Sequence, residues 1–172
     1  MILFLVLAII VENHLIIYEH ITVRKTAIIE AKALCQKHKS AFLSTLSSNQ
    51  KGFPFSSIAQ YIFLDDNHFY FFISDIAQHT KNLIKHSELS FMILDDGDVA
   101  DVENARVTIL GHAHKLSRDE SRAQIDQFIA THEKAQQYAM LGDFNLWRVV
   151  VTRVRYVGGF GRAFWLEKGE WY

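Results

Sequence analysis

The chain has 172 residues, enough for one hydrophobic core and short for two domains. Hydrophobic residues make up 49% of it and there is a single proline, which excludes a disordered polar chain. A net charge of −1 with no block of like charges gives no electrostatic basis for a nucleic-acid partner, while the lone cysteine, Cys35, excludes an internal disulfide and fits a reducing cytoplasm.

The chain opens with a uniformly apolar run, Met1 to Val11. It lacks the basic start and small-residue cleavage site of a signal peptide. Glu12, Asn13 and His14 end it well short of the roughly 20 apolar residues of a spanning helix. No stable membrane insertion is expected. The remaining readings are an accessory element packed on the body, sequence upstream of a misassigned start, and a weak membrane anchor. Residues 1–20 are therefore set apart as an extension, and 21–172 as the folded domain.

Thr26 to His38 predicts a helix, with Ala27, Ala31, Leu34 and Cys35 on one face. Ser40 to Ser47 alternates as a strand, Ser48 to Gly52 is a turn, and Phe53 to Leu64 returns as a second strand. After Asp65-Asp66-Asn67, His68 to Ser74 is a third strand, rich in aromatics on both faces. One barrel interior cannot bury both faces, so the second is expected to form a homodimer interface. A short helix near His79 to His86 leads to a strand, Leu89 to Leu94, then an acidic loop, Asp95 to Asn104. A long strand, Ala105 to Leu116, precedes a helix announced by the S-x-x-E capping box of Ser117 and Glu120. Leu146 to Val157 is the last strand, closed by Gly158-Gly159-Phe160-Gly161. The sum is an α+β fold: six antiparallel strands in a barrel with peripheral helices.

Four places offer chemistry. The passage from Ser74 into a helix opening with Thr80, Lys81 and Asn82 suits a phosphate, because a helix start presents free N–H groups and a positive dipole end. The same residues also read as an N-cap threonine and a solvated lysine. On the long strand, Arg106, Thr108, Leu110, His112 and His114 share the outer face, giving an arginine for an anion and an H-x-H pair without a supporting third metal ligand. The glycine cluster admits a flat ring or another backbone, and equally a tight turn. Asp95, Asp96, Asp98 and Asp101 form either a divalent-cation site or a solvated loop. Cys35 lies on an apolar helix face as inert packing, and no G-x-S-x-G nucleophile motif is present.

Taken together, Gly52-x-Pro54-x-x-Ser57-x-x-x-Tyr61, Ser74-Asp75 followed by His79-Thr80-Lys81-Asn82-Leu83, and Ala105-Arg106-Val107-Thr108-x-x-Gly111 resemble the pyridoxamine-5′-phosphate-oxidase-like split barrels. His132-x-x-Ala135-x-x-Tyr138, Asp143-Phe144 and Val157-Gly158-Gly159-Phe160-Gly161 are similar to the branch holding the haem-utilisation proteins. The resemblance implies a homodimer with two FMN sites at its interface, acting as an oxidoreductase on an unidentified small molecule. It places Ser57, Tyr61, Ser74, His79, Thr80, Lys81, Asn82 and Arg106 at the cofactor, and names no catalytic acid or base. A haem-binding or haem-degrading protein and a non-catalytic flavin module are the alternatives. With Tyr172 last and no histidine after His132, haem ligation from a C-terminal extension is not expected, nor is vitamin B6 oxidation.

Overall fold

A computed structural model describes residues 21–98 and 100–172. The expectations for Met1 to Val11 lie outside the described residues. Helix α1 covers residues 21–37. It is followed by β1 (Ser40–Leu46), β2 (Pro54–Phe63), β3 (Phe69–Ser74), α2 (Gln78–Lys85), β4 (Glu88–Leu94) and β5 (Arg106–Lys115). Then come α3 (Arg122–Thr131), α4 (Ala135–Ala139), β6 (Phe144–Val157), β7 (Ala163–Glu167) and α5 (Lys168–Trp171).

The sheet runs β3-β2-β1-β4-β5-β6-β7, and β3 also pairs with β6. Six antiparallel strands therefore close on themselves, which removes their free edges. β6 makes this possible by changing partners. Its first half, Phe144 to Val149, pairs with β3, and its second half, Arg153 to Val157, pairs with β7. Between the two halves the pairing with β5 shifts register, so that Leu110 faces Arg153 while Gly111 faces Val151. Thr152 is the extra residue, and its hydroxyl donates to Leu110 O at 2.9 Å. Glycine is required at 111 by crowding: an added Cβ would lie 2.6 Å from Val150 O.

Alternation fills the interior with Leu43, Phe69, Phe71, Phe91, Ile93 and Val149, and the small residues Ala27 and Ala31 let α1 pack against the same cluster. The opposite face of β3 has a different fate from the one expected. Tyr70 and Phe72 pack with Ile62 and Leu146 under Phe128 of α3 and Ala135 of α4. The barrel interior buries one face of β3 and helices of the same chain bury the other, so its aromatics do not mark a dimer interface.

Two elements lie beyond the six-strand reading. The glycine segment is a hairpin turn, with Gly158 N–H bonded to Arg162 O (2.8 Å), and it leads into β7. α5 follows, capped reciprocally by Glu167 and Glu170, and buries Trp171 against Phe63 and Phe69. The expected box at Ser117 forms instead a turn ahead of α3, with Ser117 Oγ donating to Glu120 Oε2 (2.5 Å) and accepting Glu120 N–H (3.4 Å).

Tyr172 closes the gap where β6 changes partners. Its hydroxyl accepts the Val151 N–H at 2.9 Å. Tyr172→Phe keeps the ring contact with His68 but orphans that N–H, and should destabilise the fold by about 1–3 kcal/mol. The shift of the urea unfolding midpoint measures it, and an unshifted midpoint would show that the gap closes without the hydroxyl.

Candidate functional site

A solvent-open groove of about 290 Å³ lies between β2, the start of α2, and α4. Ile58, Ala59, Phe72, Tyr138 and Phe144 give it apolar walls, and His79 stands within it. Alternation along β2 places Ile58 outward, 68% exposed, although it is a large aliphatic residue. Tyr138 stacks on Phe144 at 4.7 Å and reaches across to donate to Gln60 Oε1 at 2.8 Å.

His79 is the groove's only titratable imidazole among the described residues. Its Nδ1 lies 3.2 Å from Ser57 Oγ. Burial pushes its pKa below the usual histidine value, so the ring is neutral at pH 7. Contact with Ser57 fixes the ring orientation and leaves Nε2 with no hydrogen-bond partner among the described residues. A neutral imidazole, anchored at one nitrogen and free at the other, is the form in which histidine ligates a metal.

The other residues drawn from sequence divide. Ser74 borders the groove, but its hydroxyl donates to Asp143 Oδ2 (2.5 Å) and accepts Ile76 N–H (3.2 Å), which shapes the turn into α2. α2 begins at Gln78 rather than Thr80, with Ala77 as a cap residue that offers no side-chain acceptor. Thr80 is fully buried in the first turn, and its hydroxyl has no partner among the described residues. Lys81 is exposed one residue on.

Tyr61, Asn82 and Arg106 are engaged by partners within the chain and do not line the groove. Tyr61 is in the barrel core with its hydroxyl donated to Cys35 O (2.9 Å), and burial raises its pKa. Asn82 is fully buried. Its Oδ1 accepts Ser48 N–H (2.8 Å) and Gln78 Nε2 (2.9 Å), while its Nδ2 donates to Thr45 Oγ1 (2.9 Å). Arg106 donates to Val102 O and Asn104 O of the acidic loop. Three strand spacings separate β5 from β2, about 14 Å at ~4.8 Å each. Sequence reasoning passed over Ile58, Gln60 and Phe72 as groove walls. An outward isoleucine on an alternating strand was the available signal.

The H-x-H pair does not gather a metal set among the described residues. His112 Nδ1 is 3.1 Å from Ser87 Oγ, and His114 is exposed. The one grouping of candidate ligands there is His38, Asp95 and Asp96. Lys37 Nζ already occupies it, 2.6 and 3.0 Å from the two carboxylates, and holds Asp95 down at about 2.

Residues 22–172 match the family described as CREG, β-barrel. The chain belongs to that family. It is 29% identical over 153 residues to the atypical chloroplastic heme oxygenase HOZ of Arabidopsis thaliana, covering 89% of this chain and 46% of that protein. The chain thus spans about half the length of this relative. A heme-binding protein from Mycobacterium smegmatis superposes with a TM-score of 0.75 at 29% identity, over 84% of this chain and 59% of that one. HutZ, described as a heme storage protein, from Vibrio cholerae gives 0.66 at 26% identity, over 76% and 94%. A pyridoxinephosphate-oxidase-family protein from Clostridium acetobutylicum, 15% identical with a TM-score of 0.66, shares the fold. The split-barrel resemblance and its haem-utilisation branch therefore hold. Among the described residues, no helix is long and apolar enough to cross a membrane.

One buried and one half-buried histidine should make the fold sensitive to acid. His132 is 4% exposed, stacked on Phe128 at 4.3 Å, with Nε2 3.0 Å from Tyr61 O. Burial lowers its pKa, as it does that of His79. Unfolded histidine takes its proton near 6.5, and the folded rings only at lower pH. Their contribution to stability is therefore complete above about pH 6.5 and declines as pH falls below it. Melting temperature should drop from pH 7.5 to 5.5, and His132→Gln should flatten that drop. An equally steep drop in the variant would assign the acid sensitivity elsewhere.

Proposed function

We propose that this protein binds haem, with the groove between β2, α2 and α4 receiving the macrocycle and His79 as its iron ligand. The observation that carries this reading is His79 itself: neutral, desolvated, anchored by Ser57, and set in an apolar and aromatic wall. These features fit the group the relatives bind. An apolar surface suits the ring, and a neutral imidazole is a common haem ligand. Bound haem would supply a redox-active iron, while the protein sets ligand, hydrogen bonding and burial. Ser57 would act as a positioning residue behind the ligand.

Hemin titrated into the purified chain should give a Soret band shifted from that of free hemin. His79→Ala should raise the dissociation constant at least about tenfold, the loss of some 1.4 kcal/mol, and abolish the imidazole-ligated spectrum. An unchanged spectrum in the variant would remove His79 as ligand.

FMN at the same place is the second reading, favoured by the uncapped first turn of α2 with the unpartnered Thr80 hydroxyl and exposed Lys81. On this reading Lys81→Ala weakens FMN binding roughly ten- to a hundredfold, through the loss of one charge-assisted contact, and leaves riboflavin unaffected. Flavin bands and a Soret band separate the two readings in one spectrum.

At about 290 Å³ the groove lies just below the usual range of small-molecule pockets, roughly 300–1,000 Å³. The groove is also open to solvent, and we infer that a second copy of the chain completes the site. An outward row without a helix over it runs Ile58, Phe42, Met92, Thr108, Arg155 and Trp165 across six strands. Its apolar members suit an interface between copies. Light scattering should give twice the 19.9 kDa chain mass, and a monomer at micromolar concentration would count against it.

A further inference from the structure

At the other end of α2 a second cavity, about 430 Å³, opens between the β1–β2 turn and the helix C-terminus. Ser47, Ser48, Lys51, Gly52, Lys85 and His86 line it, and no carboxylate does. We propose that this cavity is a binding site for a phosphate-bearing anion, separate from the groove around His79 and independent of what that groove binds.

The first argument is charge. Lys51, Lys85 and His86 make no ion pair among the described residues, and the one contact of Lys85 Nζ is a neutral carbonyl, Ser48 O, at 3.2 Å. Lys81 precedes Lys85 by one helical turn, and like charges at that spacing repel. A lysine in the last turn is explained by the helix dipole, but Lys51 comes from a different element and converges on the same space. The nearest acidic residue in sequence, Glu88, lines the neighbouring hollow with Ser44 and Ser90. The acidic side chains Asp95, Asp96, Asp98, Asp101 and Glu103 gather beyond the far end of β4, six residues or about 20 Å away at ~3.3 Å per residue. Such segregation in a chain of net charge −1 directs anions to the α2 end.

The second argument is rigidity. Ser47 N–H bonds Phe53 O at 2.9 Å, Gln50 N–H bonds Ser47 Oγ at 3.0 Å, and Gly52 holds the positive φ of 83° that the turn needs. Ser48 N–H is held by buried Asn82, and Asn49 Nδ2 donates to Gln78 Oε1 at 3.2 Å. Both walls are thus fixed before any ligand arrives, which lowers the ordering cost of binding. Two ammonium groups, an imidazole and serine hydroxyls match a phosphate's several acceptor oxygens and multiple charge.

Inorganic pyrophosphate titrated into the full chain, at constant ionic strength, tests the assignment by amide NMR. Saturable shifts are expected at Ser47 to Gly52 and Lys85 to Ser87, leaving the His79 region unmoved. Lys51→Ala with Lys85→Ala should weaken binding at least about tenfold while the melting temperature is retained. Shifts that do not saturate, that chloride reproduces, or that survive in the double variant would overturn it. Lys51→Arg with Lys85→Arg, which keeps the charge, should restore binding, and no restoration in a folded variant would also count against the site. Co-sedimentation with phosphatidic acid vesicles, lost in the alanine double variant, would assign the phosphate to a lipid headgroup. Pyrophosphate binding without co-sedimentation would assign it to a soluble metabolite.

Discussion

Both proposed sites are carried by α2, and the placement of α2 depends on how the buried amide of Asn82 is satisfied. A side-chain amide taken out of water must find partners or destabilise the fold. Asn82 finds three: the Ser48 N–H, the Gln78 amide and the Thr45 hydroxyl. These belong to the β1–β2 turn, the first turn of α2, and the inner face of β1. The result is a fixed relation between helix and barrel in an element of only eight residues, too short to be helical alone. His79 is presented to its groove from one end of that helix, and Lys85 to the basic cavity from the other.

The barrel supplies the complementary constraint. Closing six strands with a seventh attached requires one strand to serve three partners, and β6 does so over 14 residues, pairing with β5, β3 and β7. The bulge at Thr152 and the close approach at Gly111 accommodate the change in twist. The Tyr172 hydroxyl satisfies the N–H left over in the gap. The two halves of β6 then have different duties. The half paired with β3 carries Phe144 and Leu146 to the α3–α4 cluster that forms the back of the groove. The half paired with β7 carries Arg153 and Arg155 to flank Trp165, at 4.4 and 5.3 Å from its ring centroid.

Strand alternation and helical spacing made most of this architecture legible in the sequence. The interior set Val107, Ile109, Gly111 and Ala113 and the buried face of α1 follow directly from period two and period 3.6. β7 escaped because Ala163 to Glu167 is five residues long and sits between a glycine turn and a one-turn helix, too short for a periodicity to show. The aromatics of β3 misdirected the quaternary argument because periodicity cannot say whether a second apolar face meets another chain or a helix of its own. The site was harder still. Residue type alone could not separate Asn82, whose amide ties the fold together, from His79, whose Nε2 is left unengaged. Nor could it show that Arg106 turns back to the carbonyls of its own loop.

What distinguishes the groove chemically is the combination of desolvation with one anchored nitrogen. An exposed histidine would be partly protonated at neutral pH and would repel a metal ion, whereas a fully buried one with both nitrogens engaged could not reach a ligand. His79 lies between these limits, buried enough to stay neutral and bordering open space. His132 shows the contrast within the same chain. Its Nε2 is directed to Tyr61 O inside the α3–β2 contact and its ring lies on Phe128, which makes it a packing residue. The difference arises from chain geometry: His79 lies in the first turn of α2 beside the open groove, and His132 is the residue that ends α3, packed between Phe128 and Tyr61 O. A sheet that exposes Ile58 beside such an imidazole pairs an apolar plane with an unengaged ring nitrogen, the two features on which the proposed haem reading rests, whereas the flavin reading rests on the start of α2.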